Sequence, residues 1–131
     1  FSIQAAVTEA FHPKPMVLDK MRLGALAGLL HQVDGVVAVD TGLGHLTAAL
    51  NVPCVSLYGP TDPKLTGTYG LNQLHFKAEK KCAPCLQRVC SLKEKTPVQP
   101  PCFEGLPPYK VWDMLKAHLE SYQETNVCMP A

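Results

Sequence analysis

Long apolar runs are missing from this chain. Each hydrophobic stretch is broken within a few residues, far short of the roughly 20 that a membrane-spanning helix requires. Phe1 to Ala10 has neither the charged start nor the apolar stretch of an export signal. Charge of one sign is missing as well: Lys and Arg number 12 against 11 Asp and Glu, a net +1. Because the basic residues are scattered, there is no electrostatic footprint for nucleic acid and no basic stripe for a lipid surface. Neither the G-x-G-x-x-G dinucleotide fingerprint nor the G-x-x-x-x-G-K-S/T phosphate loop occurs, and no internal repeat is visible. These absences leave 131 residues, the size of one domain, with small polar ligands as the expected partners and the cytosol as the default residence.

Most of what is present lies between Val36 and Gly70. Val36 to Val39 is a β-branched run without alternation, the pattern of a parallel strand covered on both faces. Asp40-Thr41-Gly42 follows at its carboxyl end, where ligands of open α/β sheets bind. Gly42 permits a tight turn and close approach of a ligand to the backbone, and Leu43 to Leu50 reads as a helix. That helix start has unpaired N–H groups and the positive end of the macrodipole, which suits a diphosphate. Thr41 can cap the helix or bond a phosphate oxygen. Asp40 would repel phosphate but accepts well from sugar hydroxyls. His45, in the first turn, can donate to phosphate or sugar; alternatively it is a helix-start residue bonded to a neighbouring carbonyl. Pro53 to Tyr58 reads as a second buried strand, and Gly59-Pro60-Thr61-Asp62-Pro63 as a rigid turn beyond it. Two adjacent strand ends thus carry polar loops.

The flanks are less informative. Ser2 to Phe11 is weakly helical and ends at His12-Pro13-Lys14-Pro15. Met16 to Leu18 can form a brief strand. Asp19 is a plausible cap for a helix whose apolar positions Leu23, Leu26, Ala27, Leu30 and Val33 should lie on the sheet, with Gly24 and Gly28 allowing close packing. Gln73 to Ala78 reads as another strand. Residues 82–108 are irregular and hold six of the twelve prolines. Pro107 and Pro108 suit the start of a last helix with a stripe of Val111, Leu115, Leu119 and Tyr122, widened by Trp112 and Met114. Glu124 to Ala131 has no periodicity and reads as frayed. The expected fold class is α/β, a Rossmann-like parallel sheet with flanking helices.

Taken together, DTGLGHLTAAL followed by LYGPTDPKLTGTYG resembles glycosyltransferase family 9, the ADP-heptose:lipopolysaccharide heptosyltransferases. The likeness extends to VLDKMRLGALAGLL ahead of the DTG loop and to CAPCLQRVC and PPCFEGLPPYKVWDML behind it, so nearly the whole chain is covered. The resemblance implies a two-domain GT-B architecture, of which residues 1–131 would be the carboxyl-terminal, nucleotide-sugar donor-binding half. It implies Asp40 on heptose hydroxyls, Thr41 and Gly42 on the diphosphate, His45 beside both, and Met21 against the adenine of ADP-L-glycero-D-manno-heptose. Read alone, Met21 is equally a core residue, since a thioether fills gaps well. The family's acceptor domain, with its general base, has no counterpart here, and neither does the first strand of the donor domain. The chain is therefore expected to be a fragment truncated at its start, without a catalytic residue of its own and inactive alone. Within an intact enzyme it would serve inverting transfer of heptose to the Kdo-lipid A inner core of lipopolysaccharide, with no cofactor or metal. The resemblance also implies residence in the cytoplasm, peripheral to the inner face of the inner membrane.

The cysteines support a rival reading. Cys82, Cys85, Cys90 and Cys102 supply four thiols in a loop-rich segment, enough for a tetrahedral zinc site that would organise a non-catalytic interaction module. Reduced thiols and disulfides are the other states open to them. A thioredoxin-like role for Cys82-Ala83-Pro84-Cys85 lacks the required strand-to-helix setting. Cys54, inside an apolar strand, reads as core, and Cys128 as part of a mobile tail.

Overall fold

The computed structural model of the chain describes residues 15–127. In chain order the elements are α1 (Leu23–Leu30), β1 (Val36–Val39), α2 (Gly42–Ala49), β2 (Cys54–Tyr58), α3 (Pro63–Thr66), β3 (Gln73–Lys77), a 3-10 turn (Pro101–Gly105) and α4 (Pro108–Val127). The three strands form a parallel sheet in the order β1-β2-β3, which makes the fold the expected α/β class. Register runs from Val36 opposite Cys54 to Val39 opposite Leu57, and from Cys54 opposite Gln73 to Tyr58 opposite Lys77. Parallel pairing in this register brings all three carboxyl ends to one side of the sheet. No helix among the described residues is long and apolar enough to cross a membrane.

β2 is central because its sequence tolerates burial on both faces: Cys54, Val55, Ser56 and Tyr58 are all buried. Its two faces meet different layers. Ser56, with Ala38 beside it in register, faces α2, whose Gly44 would bring an added Cβ within 3.6 Å of both side chains. Val55 faces α4 and clusters with buried Val111 and Leu115, flanked by Leu57, Leu74, Phe76, Met114 and Leu119. The i, i+4 spacing of Val111, Leu115 and Leu119 keeps one stripe of α4 on the sheet. Gly35, just ahead of β1, leaves room for that stripe, since a Cβ there would come within 3.1 Å of both Leu115 and Leu119 side chains. The His118 ring donates from Nε2 to the Asn72 carbonyl at 3.1 Å, holding α4 to the entry of β3.

Several expectations fail for identifiable reasons. β1 is not covered on both faces, because Val37 and Val39 are each 47% exposed at the sheet's edge. Met16 to Leu18 forms no strand, and its apolar side chains are exposed. Arg22, not Asp19, occupies the cap position of α1, in extended backbone and without a side-chain capping bond. That helix buries none of its residues. Instead of lying on the sheet, α1 packs beside α2 and shares with β1 and α2 an apolar cleft of about 430 Å³ lined by Leu26, Leu30, Val37 and Leu43. An added Cβ at Gly24 or Gly28 would meet nothing within 4 Å, so close packing does not explain either glycine. Trp112 is 58% exposed, because one residue on from Val111 is about 100° around the helix. Glu124 to Val127 continues α4 rather than fraying. The expected helix at Ser2 to Phe11, the residues His12, Pro13 and Lys14, and the tail from Cys128 lie outside the described residues.

The layering yields a stability prediction. Leu115→Ala should lower the unfolding free energy by about 2–5 kcal/mol, the cost of a partly collapsed core cavity. Trp112→Ala should change it by about 0.5 kcal/mol or less. Urea unfolding followed by circular dichroism compares them, and equal losses would refute the assignment of α4's buried face.

Candidate functional site

The loops beyond β1 and β2 meet at the carboxyl edge of the sheet. Asp40 directly follows β1, and Thr41 is the cap residue of α2, with the extended φ of −146° and ψ of 167° that such a position adopts. The Thr41 side chain makes no capping hydrogen bond, while its carbonyl accepts from the Gly44 N–H at 3.1 Å. The N–H groups of Gly42 and Leu43, ahead of that bond, keep the outward, partner-seeking character of a helix start.

From the other side, Asp62 caps α3 by accepting from the Lys64 N–H at 2.9 Å. Pro63 follows at the first helical position, where its missing N–H costs nothing. This short turn presents Thr66, whose hydroxyl donates to Asp40 Oδ2 at 2.7 Å. The Asp62 carbonyl is the weaker alternative acceptor, at 3.3 Å. One carboxylate oxygen of Asp40 is thus engaged by the neighbouring loop and the carboxylate is oriented. Gly67 ends α3, and any side chain there would collide with the Pro63 carbonyl. The geometry that delivers Thr66 consequently requires glycine next to it.

Four of the five residues singled out in the sequence come together. Asp40, Thr41 and Gly42 form one turn, and His45 is exposed on the first turn of α2. Met21 is half-buried in the segment that leads into α1, and α1 packs beside α2. Gly42 needs correction in one respect. Its φ is not left-handed and a Cβ there would meet nothing within 4 Å, so the turn itself does not demand glycine. Thr66 was not anticipated, and only the Thr within LTGTYG hinted at it, since a bond across 26 residues of sequence has no local signature.

Cys82, Cys85, Cys90 and Cys102 are not grouped as metal ligands in the structure. Among the described residues no three His, Cys, Asp or Glu side chains are placed so as to hold a metal ion. Cys54 is buried, and desolvation raises its thiol pKa against the opposing bonds from Ser56 and the Ala38 backbone, which keeps it an inert core thiol.

With this geometry in view, comparison with known proteins is specific. Residues 3–96 match glycosyltransferase family 9 (heptosyltransferase). Lipopolysaccharide heptosyltransferase 1 of Pseudomonas aeruginosa is 44% identical over 112 residues, covering 79% of this chain and 32% of the relative. The protein of the same name from Escherichia coli K12 is 52% identical over 65 residues, 50% of this chain and 20% of the relative. Among solved structures, E. coli heptosyltransferase WaaC with ADP aligns with a TM-score of 0.53 and 48% identity, covering 57% of this chain and 23% of that one. The chain therefore spans a third or less of the length of these relatives.

The contact between the two loops can be tested without any ligand. Thr66→Val should cost about 1 kcal/mol of stability and shift the amide resonances of Asp40, Thr41 and Gly42 as well as those around position 66, whereas Thr66→Ser should leave the first group in place. Shifts confined to residues 62–68 would show that the loops are not coupled through this bond.

Proposed function

Because the chain belongs to glycosyltransferase family 9, we propose that it is the donor-binding domain of an inverting heptosyltransferase that takes ADP-L-glycero-D-manno-heptose. In the intact enzyme, an acceptor-binding half would present the Kdo-lipid A inner core of lipopolysaccharide at the cytoplasmic face of the inner membrane. The carrying observation is the turn Asp40-Thr41-Gly42 at the end of β1, opening α2, with Asp40 held by Thr66 from the next loop. Two relatives named lipopolysaccharide heptosyltransferase 1 and a heptosyltransferase structure with ADP support the same reading.

The chemistry follows from where charge moves. As the anomeric bond breaks, negative charge grows on the leaving diphosphate. N–H groups at the start of α2, with the Thr41 hydroxyl and His45, stabilise that charge more in the transition state than in the ground state. Asp40 serves the sugar. Its carboxylate repels phosphate but accepts hydrogen bonds from heptose hydroxyls, and the Thr66 bond leaves Oδ1 for that purpose. Met21 is assigned to the adenine, at the α1 side of the site. The general base belongs to the acceptor half, so this chain binds and orients the donor and moves no proton.

ADP added to the folded chain should shift the amide resonances of Asp40 to His45. Their indifference at millimolar ADP would sink the assignment. In an intact enzyme carrying this domain, Asp40→Ala should reduce transfer by about tenfold or more, the worth of a lost hydrogen bond to a charged group, while sparing ADP affinity. Gly42→Val should weaken ADP itself without unfolding the domain, because the position has room for the side chain in the free protein. Equal loss of ADP affinity in both variants would erase the division between sugar and phosphate. The 131-residue chain alone should show no heptosyl transfer, since on this reading proton removal and acceptor positioning belong to the acceptor half.

A further inference from the structure

Behind the β2 end, away from the Asp40 turn in sequence, four thiols share one cavity of about 380 Å³. Cys82, Cys85, Cys90 and Cys102 all line it, with Pro60 and Arg88 among the remaining walls. Their exposure is graded: Cys82 and Cys90 are exposed, Cys85 is intermediate and Cys102 is buried. Burial raises the Cys102 pKa, and the nearby thiols of Cys85, Cys90 and Cys82 raise it further, which places the four groups within electrostatic reach of one another. All of them are free thiols, and no metal-holding group exists among the described residues.

The backbone that carries them is adaptable at some points and fixed at others. Between Lys77 and Pro101 it has no helix or strand, so small sulfur displacements break no regular ladder. It is pinned near its middle: the Leu86 N–H donates to the Pro60 carbonyl at 2.8 Å, and Leu86 itself adopts a left-handed φ of 57°, rare for a branched side chain. That pin fixes Cys85, the preceding residue, at the cavity. On the far side Cys102 packs so closely on Gly59 that an added Cβ would sit 2.9 Å from its sulfur.

We propose that this cavity is a thiol–disulfide exchange site that takes a small-molecule disulfide of the glutathione class. The thiolate of Cys82 or Cys90, the two reachable thiols, attacks one sulfur of the incoming disulfide. A mixed disulfide forms, the S–S bond of the small molecule breaks, and one small thiol leaves with the proton given up by the protein. Cys85 then attacks the protein sulfur of the mixed disulfide, closes an intramolecular bond and expels the second small thiol with a second proton. Two protein thiols are oxidised to one disulfide while one small disulfide is reduced to two thiols. Arg88, in the wall of the cavity, pairs with the carboxylates of a glutathione-type ligand. Cys102 is the poorer attacking group, because burial keeps it protonated. In a reducing compartment such a site rests as thiols and is oxidised only transiently. The proposal does not depend on the donor-binding reading.

The test exposes the folded chain to glutathione disulfide, quenches with acid, alkylates the remaining thiols after unfolding, and reads intact mass and peptide maps. The expected product has two fewer alkylatable thiols, no retained glutathione, and a disulfide joining Cys85 to Cys82 or Cys90. Cys85→Ser should halt at the mixed disulfide and retain one glutathione. Four outcomes would overturn the proposal: an unreactive folded chain, retained glutathione without closure in the unsubstituted chain, a disulfide mapped to Cys54 or Cys128, or closure undiminished by Cys85→Ser. Mapping of the unsubstituted chain decides the matter even where the variant does not fold.

Discussion

The meeting of the two polar loops at the carboxyl edge of the sheet depends on the parallel pairing of β2 with a neighbour along each edge. Parallel strands cannot be joined by tight hairpins, so each connection must return across a face of the sheet. Here those returns carry α2 and α3, and the register sets Asp40 beyond Val39 while Tyr58 leads into the loop that caps α3. Burial of β2 between α2 and α4 fixes the register, since a shift by one residue would move Val55 out of its cluster with Val111 and Leu115. The two polar loops are close because the sheet is, and the bond from Thr66 to Asp40 joins loops already brought together.

That bond also resolves an electrostatic conflict within the turn. A helix start that attracts diphosphate stands immediately after a carboxylate that repels it. In the proposed donor complex the two are separated by direction: the N–H groups face along the axis of α2, while the Thr66 hydroxyl holds Asp40 toward the neighbouring loop. A sugar diphosphate has the complementary polarity, hydroxyl donors at one end and anionic oxygens at the other.

Much of this was legible in the sequence, and what was not shares a cause. Val36 to Val39 appears as a strand residue for residue, and the strands at Cys54 and Gln73 differ from expectation by a single residue at one end, because β-branched and aromatic runs bounded by turn residues carry a local signal. The DTG turn was visible for the same reason. Periodicity showed that α1 has an apolar face but could not say what that face meets, and the helix lies beside α2 over an open cleft. Thr66 and Asp40 are 26 residues apart, and the four thiols share a cavity only because an irregular segment folds back on Pro60. Long-range contacts decided these features, and no local pattern could carry them.

The half-exposed outer valines of β1 have a practical consequence. Val37 and Val39 lie on a strand with a partner along only one edge among the described residues, and unpaired backbone beside apolar side chains is a template for another strand. That edge is where a further strand, from this chain or from another, would add to the sheet. A charged side chain in place of Val37 would disfavour such an addition by a second copy.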